Sequence, residues 1–129
     1  MSGTNDVDLG AVSLTVPGMP AYLRLIRLAA ADSGARAALS LEDVEDLKIA
    51  VDELTYALMG DDPTGETTLT LRFSVSPGRV EIEGSDGVVG EPLELSELSS
   101  NIVSAVVDEY DIAGDADGRR FRLVKRSPT

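Results

Sequence analysis

The sequence predicts an α+β fold, a two-layer α/β sandwich in which a mixed sheet is covered on one face by three helices. Two observations carry that prediction. Apolar residues at Leu41, Val44, Leu47, Val51, Leu54 and Leu58 recur every three or four positions, as a helix with one buried face requires. Elsewhere, short alternating runs flank turn-forming residues, so the chain reads β-α-α-β-β-α-β-β. Hairpin-linked strands with helices set beside them build an antiparallel or mixed sheet with one covered face.

Residues 1–10 read as a disordered lead, and residues 11–126 as one domain. Positions 11–16 alternate Val12, Leu14 and Val16 with Ser13 and Thr15, which predicts a strand ended by Pro17-Gly18-Met19-Pro20. A first helix is expected over 21–36, with Leu23, Ile26 and Ala30 on its apolar side and Gly34 as a weak spot. Ser40 is placed to N-cap the second helix, which Gly60 and Pro63 end. Strands follow at 67–75 and 80–83, joined by Ser76-Pro77-Gly78-Arg79; Gly84, with no side chain to pack, is expected to end the second. A loop over 85–92 leads to a third helix over 96–110, carrying Leu98, Ile102, Val103, Val106 and Val107. A short strand at 110–113, a turn at 115–118 and a closing strand at 119–125 complete the domain, with Phe121 and Leu123 on one face.

Composition narrows the function. The chain has 129 residues, enough for one domain with a sizeable core. Its 11 basic and 23 acidic residues give a net charge of −12, so a basic protein partner suits it better than nucleic acid. There is no cysteine and no histidine, which excludes disulfides, Cys/His zinc sites and Ser-His-Asp catalysis. The N-terminus carries Asn5, Asp6 and Asp8 and lacks the charged-then-apolar pattern of a secretory signal; no apolar run reaches membrane-spanning length. A cytoplasmic protein without direct nucleic-acid or membrane contact is expected.

The run Ile49-Ala50-Val51-Asp52-Glu53 inside the second helix resembles the first ATP-binding box of the GHKL ATPase/kinase superfamily. The similarity is closest to bacterial anti-sigma factor/serine kinases of the RsbW type. It extends from about Val12 to Lys125, through Ile26-Arg27-Leu28, residues 41–53, residues 101–112 and residues 120–124. What it implies for the fold is the Bergerat, histidine-kinase-like ATPase architecture.

The resemblance also assigns roles. Glu53 matches the general base of active members. Four residues on, where they carry a magnesium-binding Asn, this chain has Ala57, whose methyl offers a hard cation no oxygen. The second box appears as Asp86-Gly87-Val88-Val89-Gly90. Asp86 matches the carboxylate that accepts from the adenine amino group and Gly90 the last glycine, while Val88 replaces the middle one. The long lid and glycine-rich helix start are absent. Only residues 91–97 precede Leu98-Ser99-Ser100-Asn101, and Glu94 and Glu97 oppose a triphosphate. Arg119 stands where the family has a Thr. Arg27, with Arg24 three residues before it, matches a first-helix arginine that contacts sigma factor and antagonist.

Blander readings stand beside these. Glu53 is equally a solvated carboxylate, Asp86 a turn residue, and Arg27 a surface arginine paired with a nearby acid. Glu42, Asp43, Glu45 and Asp46 suit the start of a helix dipole better than a metal. Tyr22, Tyr56 and Tyr110 read as core-edge packing, and Asp115 and Asp117 as turn residues, since the closing Glu of a calcium loop is missing.

As a whole, the resemblance implies a degenerate, kinase-inactive member of the divergent kind found in actinobacteria. Its function would be that of an anti-sigma factor sequestering a stress- or sporulation-type sigma factor, released by a STAS-domain anti-anti-sigma protein. A homodimer is consistent with the family, and no cofactor is expected. The alternative is an active serine-protein kinase that uses ATP and Mg²⁺ to phosphorylate that antagonist.

Overall fold

Strand alternation and helix period build two layers in the computed structural model, which describes residues 9–60 and 66–128. The elements are β1 (Ala11–Pro17), a 3-10 turn (Pro20–Tyr22), α1 (Leu23–Arg36), α2 (Leu41–Met59), β2 (Thr68–Ser76), β3 (Arg79–Ser85), α3 (Glu97–Val106), β4 (Glu109–Asp115) and β5 (Gly118–Arg126). The five strands form one sheet in the order β1-β2-β3-β5-β4. Every neighbouring pair is antiparallel, so the sheet is uniform where a mixed one was expected. The three helices pack on one face of it, through the side chains that the periodicities select.

That inner face is apolar at alternate positions. Leu69, Leu71, Phe73 and Val75 of β2, Val80 and Ile82 of β3, and Phe121 and Leu123 of β5 are buried against Ile26, Leu47, Val51, Leu54 and Leu58 of the helices. Each such leucine or phenylalanine removed from water contributes roughly 1.5–3 kcal/mol. Gly34, the expected weak spot of α1, is a contact point. A β-carbon there would lie 2.8 Å from Cγ2 of Val44, so the missing side chain lets α2 approach.

Ser40 caps α2 as its spacing predicts, its hydroxyl accepting the Asp43 N–H at 3.1 Å, and Gly60 ends the helix. Pro63 and residues 1–8 of the expected lead lie outside the described residues. Leu9 and Gly10 already bond the backbone of Val75, at 2.8 and 3.1 Å.

Four expectations are corrected. Leu41, the first residue of α2, is 86% exposed, six residues ahead of Leu47, the first side chain that the helix buries. β3 runs through Gly84 to Ser85. Gly84 is required there because a β-carbon would sit 2.4 Å from the Phe121 ring that covers it. α3 stops at Val106: Asp108 donates its N–H to Val124 at 3.0 Å, so the sheet claims the residues after the helix and β4 begins at Glu109. Leu98, assigned to the apolar side of α3, is 69% exposed. Among the described residues no helix is long and apolar enough to cross a membrane.

Candidate functional site

One face of the last two turns of α2 forms the wall of a cavity of about 720 Å³. Glu53, Tyr56, Ala57 and Gly60 line it together, as the helical spacing of three and four residues dictates. The facing wall is the loop after β3, from Val88 through Leu95, and Ser96 and Ser99 at the start of α3 close one end. The loop is held by a close backbone approach. A β-carbon on Gly114 of β4 would lie 2.6 Å from the Gly90 carbonyl, so only glycine lets the loop cross that strand.

Glu53, Ala57, Val88, Gly90, Glu94 and Arg119, which the sequence places in one family site, therefore do converge on one cavity. Tyr56 joins them: it is 61% exposed on the cavity wall, whereas Tyr22 and Tyr110 pack against the core as expected. Glu97 does not line the cavity. Its first-turn position on α3 serves the helix start, where Ser96 accepts the Ser99 N–H at 3.0 Å.

Asp86 is neither a simple turn residue nor a free acceptor. Its side chain is wholly buried, and Arg119 holds it. Arg119 donates from Nε at 2.8 Å and reaches the same oxygen with Nη2 at 2.7 Å. The second carboxylate oxygen accepts the backbone N–H groups of Val88 at 2.8 Å and Arg119 at 3.3 Å. Arg119 Nη2 also donates to the Leu58 carbonyl at 3.1 Å. Asp86 does not line the cavity; Arg119, which grips it, does. In the sequence Arg119 stands out only as the replacement of a family Thr. The signal that marks it is strand parity, since Arg119 shares its face of β5 with buried Phe121 and Leu123.

These residues do not fit a magnesium nucleotide. The buried carboxylate is saturated from within the chain, Ala57 offers no ligand oxygen, and Glu53, Glu91 and Glu94 give the cavity negative walls. Among the described residues no group of three or more acidic side chains is placed to hold a metal ion. The acidic start of α2 has another use. Asp43 and Asp46 receive Lys125 of β5 at 3.7 and 3.2 Å, while Lys125 also donates to the Val106 carbonyl at 2.8 Å. That contact ties α2, α3 and the sheet together.

Arg27 and Arg24 lie on α1, away from the cavity. Arg27 is paired with Asp52 of α2 at 3.1 Å and stays 42% exposed, as its blander reading anticipates. Burial pushes the Asp52 carboxyl above its ordinary range, with Arg27 opposing, and one Asp52 oxygen is buried without a partner. Arg24 is exposed, and on the same helix Leu25 and Leu28 are 44% and 60% exposed.

Comparison with known proteins gives these features a setting. No family model matches the chain. It is 30% identical over 115 residues to the serine-protein kinase RsbW of Listeria monocytogenes, covering 85% of this chain and 67% of that one. It is 35% identical over 80 residues to RsbW of Bacillus licheniformis and 34% over 79 residues to that of Bacillus subtilis; each match covers 58% of this chain and 48% of the relative. Among solved structures it is similar to the RsbU and RsbW domains of a Mycobacterium tuberculosis protein. There the TM-score is 0.69 at 16% identity, over 91% of this chain and 32% of the other, which shows a shared fold. On the breadth of the Listeria match, this chain belongs to the RsbW family of the GHKL superfamily.

Proposed function

We infer that this chain is an anti-sigma factor that works by sequestration, with residues 11–126 as a single histidine-kinase-like domain. It binds a stress- or sporulation-type sigma factor through α1 and the neighbouring sheet edge. A STAS-domain anti-anti-sigma protein releases it by competing for an overlapping surface. The observation that carries the reading is the contrast between two sites in one family member. α1 presents Arg24, Leu25 and Leu28 to solvent, while Asp86 beside the cavity is held by Arg119 and Ala57 stands one turn from Glu53 on the cavity wall. Exposed arginine beside apolar side chains is the chemistry of interface anchors. A partner exchange of this kind needs no phosphoryl transfer, and a cytoplasmic homodimer is consistent with it.

Pull-down of sigma factors and STAS proteins with the native chain and with Arg24→Ala and Arg27→Ala tests the reading. Capture by the native chain, weakened by about tenfold or more in a variant that removes an anchor, is expected. Absence of both partner classes sinks it.

A second reading is favoured by the place of Glu53 on the cavity wall: an active serine-protein kinase acting on the antagonist. It requires Mg²⁺-dependent phosphoryl transfer that Glu53→Ala abolishes. A titration with ATP and Mg²⁺ that gives neither heat nor a thermal shift eliminates it.

A further inference from the structure

Arg119 is, among the described residues, the cavity's only lining cation, and its Nε and Nη2 are both engaged by acceptors of the chain itself. It spans two acceptors. One is the carboxylate of Asp86, the only charged side chain in the buried class among the described residues. The other is the carbonyl of Leu58, in the last turn of α2. A helix leaves its final carbonyls without intrahelical donors, and α2 has no basic residue in its own last turn. Two acceptors at one place, one of them a carboxylate wholly shielded from water, form a receptor for a planar group with diverging N–H donors. An amidinium, a guanidinium and the amino edge of an aminopurine share that chemistry.

We propose that Arg119 is the resident ligand of this receptor, an internal guanidinium that decides what the cavity accepts. While it spans Asp86 and Leu58, an incoming amidine or aminopurine meets no free buried acceptor. Withdrawn, it leaves a carboxylate and a carbonyl that such a ligand satisfies in its place. Arg119 is thus a specificity-determining residue, and the cavity is a small-molecule site kept shut by the chain's own side chain. The proposal rests on the cavity geometry alone, and its failure leaves the partner-binding reading untouched.

The test is calorimetric titration of the native chain and of Arg119→Ala with methylguanidinium, and separately with adenosine without metal. The native chain is expected to give no saturable binding of either. Arg119→Ala binds both saturably, at least about tenfold more tightly than the native chain, because unpaired buried acceptors discriminate strongly. Adding Asp86→Ala to that variant removes the gain. A folded Arg119→Ala that binds neither probe overturns the proposal, as does a native chain that binds adenosine as well as the variant does. Should Arg119→Ala fail to fold, nitrogen NMR of the native chain decides. The Arg119 Nε–H signal is expected to be protected from exchange and unmoved by adenosine. Its displacement by adenosine, or free exchange, refutes the latch.

Discussion

The two faces of β5 use the same residue types for different ends. On the inner face Arg119 and Lys125 flank Phe121 and Leu123, and both cations reach buried or half-buried acceptors on the helical layer or its loop: Asp86 and Leu58 for Arg119, Asp43, Asp46 and Val106 for Lys125. On the outer face Arg122 pairs with Glu81 at 3.0 Å and Glu109 at 3.4 Å, Arg120 pairs with Asp115 at 3.0 Å, and Arg126 pairs with Glu109. Val124 is fully buried among these outer side chains, opposite Glu81 and Glu109 in the register. The segment Gly118–Arg126 reads as a basic strand and folds into a neutralised one. What separates the faces is how fully the partners are enclosed. Asp86 is wholly buried on the inner face. On the outer face Glu81 alone is well shielded, while Arg120, Asp115, Arg126 and Glu109 are 43–50% exposed. An exposed pair is the cheaper one to break.

The sharpest test of that contrast is the pair Lys125→Ala and Arg122→Ala. Lys125 is 12% exposed and Asp43 13%, so removing the ammonium strands carboxylates and a carbonyl together. We expect a loss of about 3 kcal/mol in chemical denaturation, at the lower end for a buried pair broken on one side. Arg122→Ala, on the open face, costs no more than about 1 kcal/mol. Equal losses would mean that burial does not distinguish the faces.

Gly84→Ala probes the inner face from the neighbouring strand. The new methyl would overlap the Phe121 ring, whose Cε2 lies 2.4 Å from its place. Overpacking of this kind costs about 2 kcal/mol, and combining it with Phe121→Leu should return part of the loss as a coupling energy in a double-mutant cycle. Strict additivity of the two losses would place the ring elsewhere.

How far these contacts could be read in advance depends on how local they are. The period of α2, its Ser40 cap and the alternation of β2 and β5 are written in neighbouring residues, and the fold follows them. The end of α3 is not, because Val106 and Val107 continue a helical pattern while Val124, on another strand, competes for the backbone beside them. Gly84 reads as a strand stop until the Phe121 ring across the ladder explains it. In the cavity, the residues that match a family motif converge as their spacing implies. The Asp86–Arg119 contact spans 33 residues and joins a motif position to one that the motif leaves unexplained. Lys125 likewise reaches Asp46 across 79 residues. Only strand parity hints at either.

Thr55 supplies a smaller test on the helical layer. Its hydroxyl is buried on α2 with no hydrogen-bond partner. Thr55→Val keeps the shape and removes the unsatisfied group, so stability should rise by about 1 kcal/mol. A loss instead would show that the hydroxyl has a partner, and that the inner layer tolerates no orphaned polar group.

Acid titration should give the outer face its smallest and most diagnostic signature. Burial pushes Glu81 upward, but hydrogen bonds and charge from Arg122 and Arg79 outweigh it and hold the carboxyl below its ordinary value of 4.5. A carboxylate depressed in the folded state adds stability that is present above the unfolded value and is lost as pH falls through the folded one. Glu81→Gln should therefore lower stability at neutral pH by under about 1 kcal/mol, and the gap to the native chain should close as pH drops below about 4.5. Asp52 runs the other way. Burial raises it, Arg27 offsets only part of that, and the contribution of its protonated form is full below the unfolded value and lost as pH rises through the folded one. Asp52→Asn should thus gain relative stability toward neutral pH while Glu81→Gln loses it. If both variants shift in the same direction, the balance of burial against arginine pairing does not set the sign at one of the two sites.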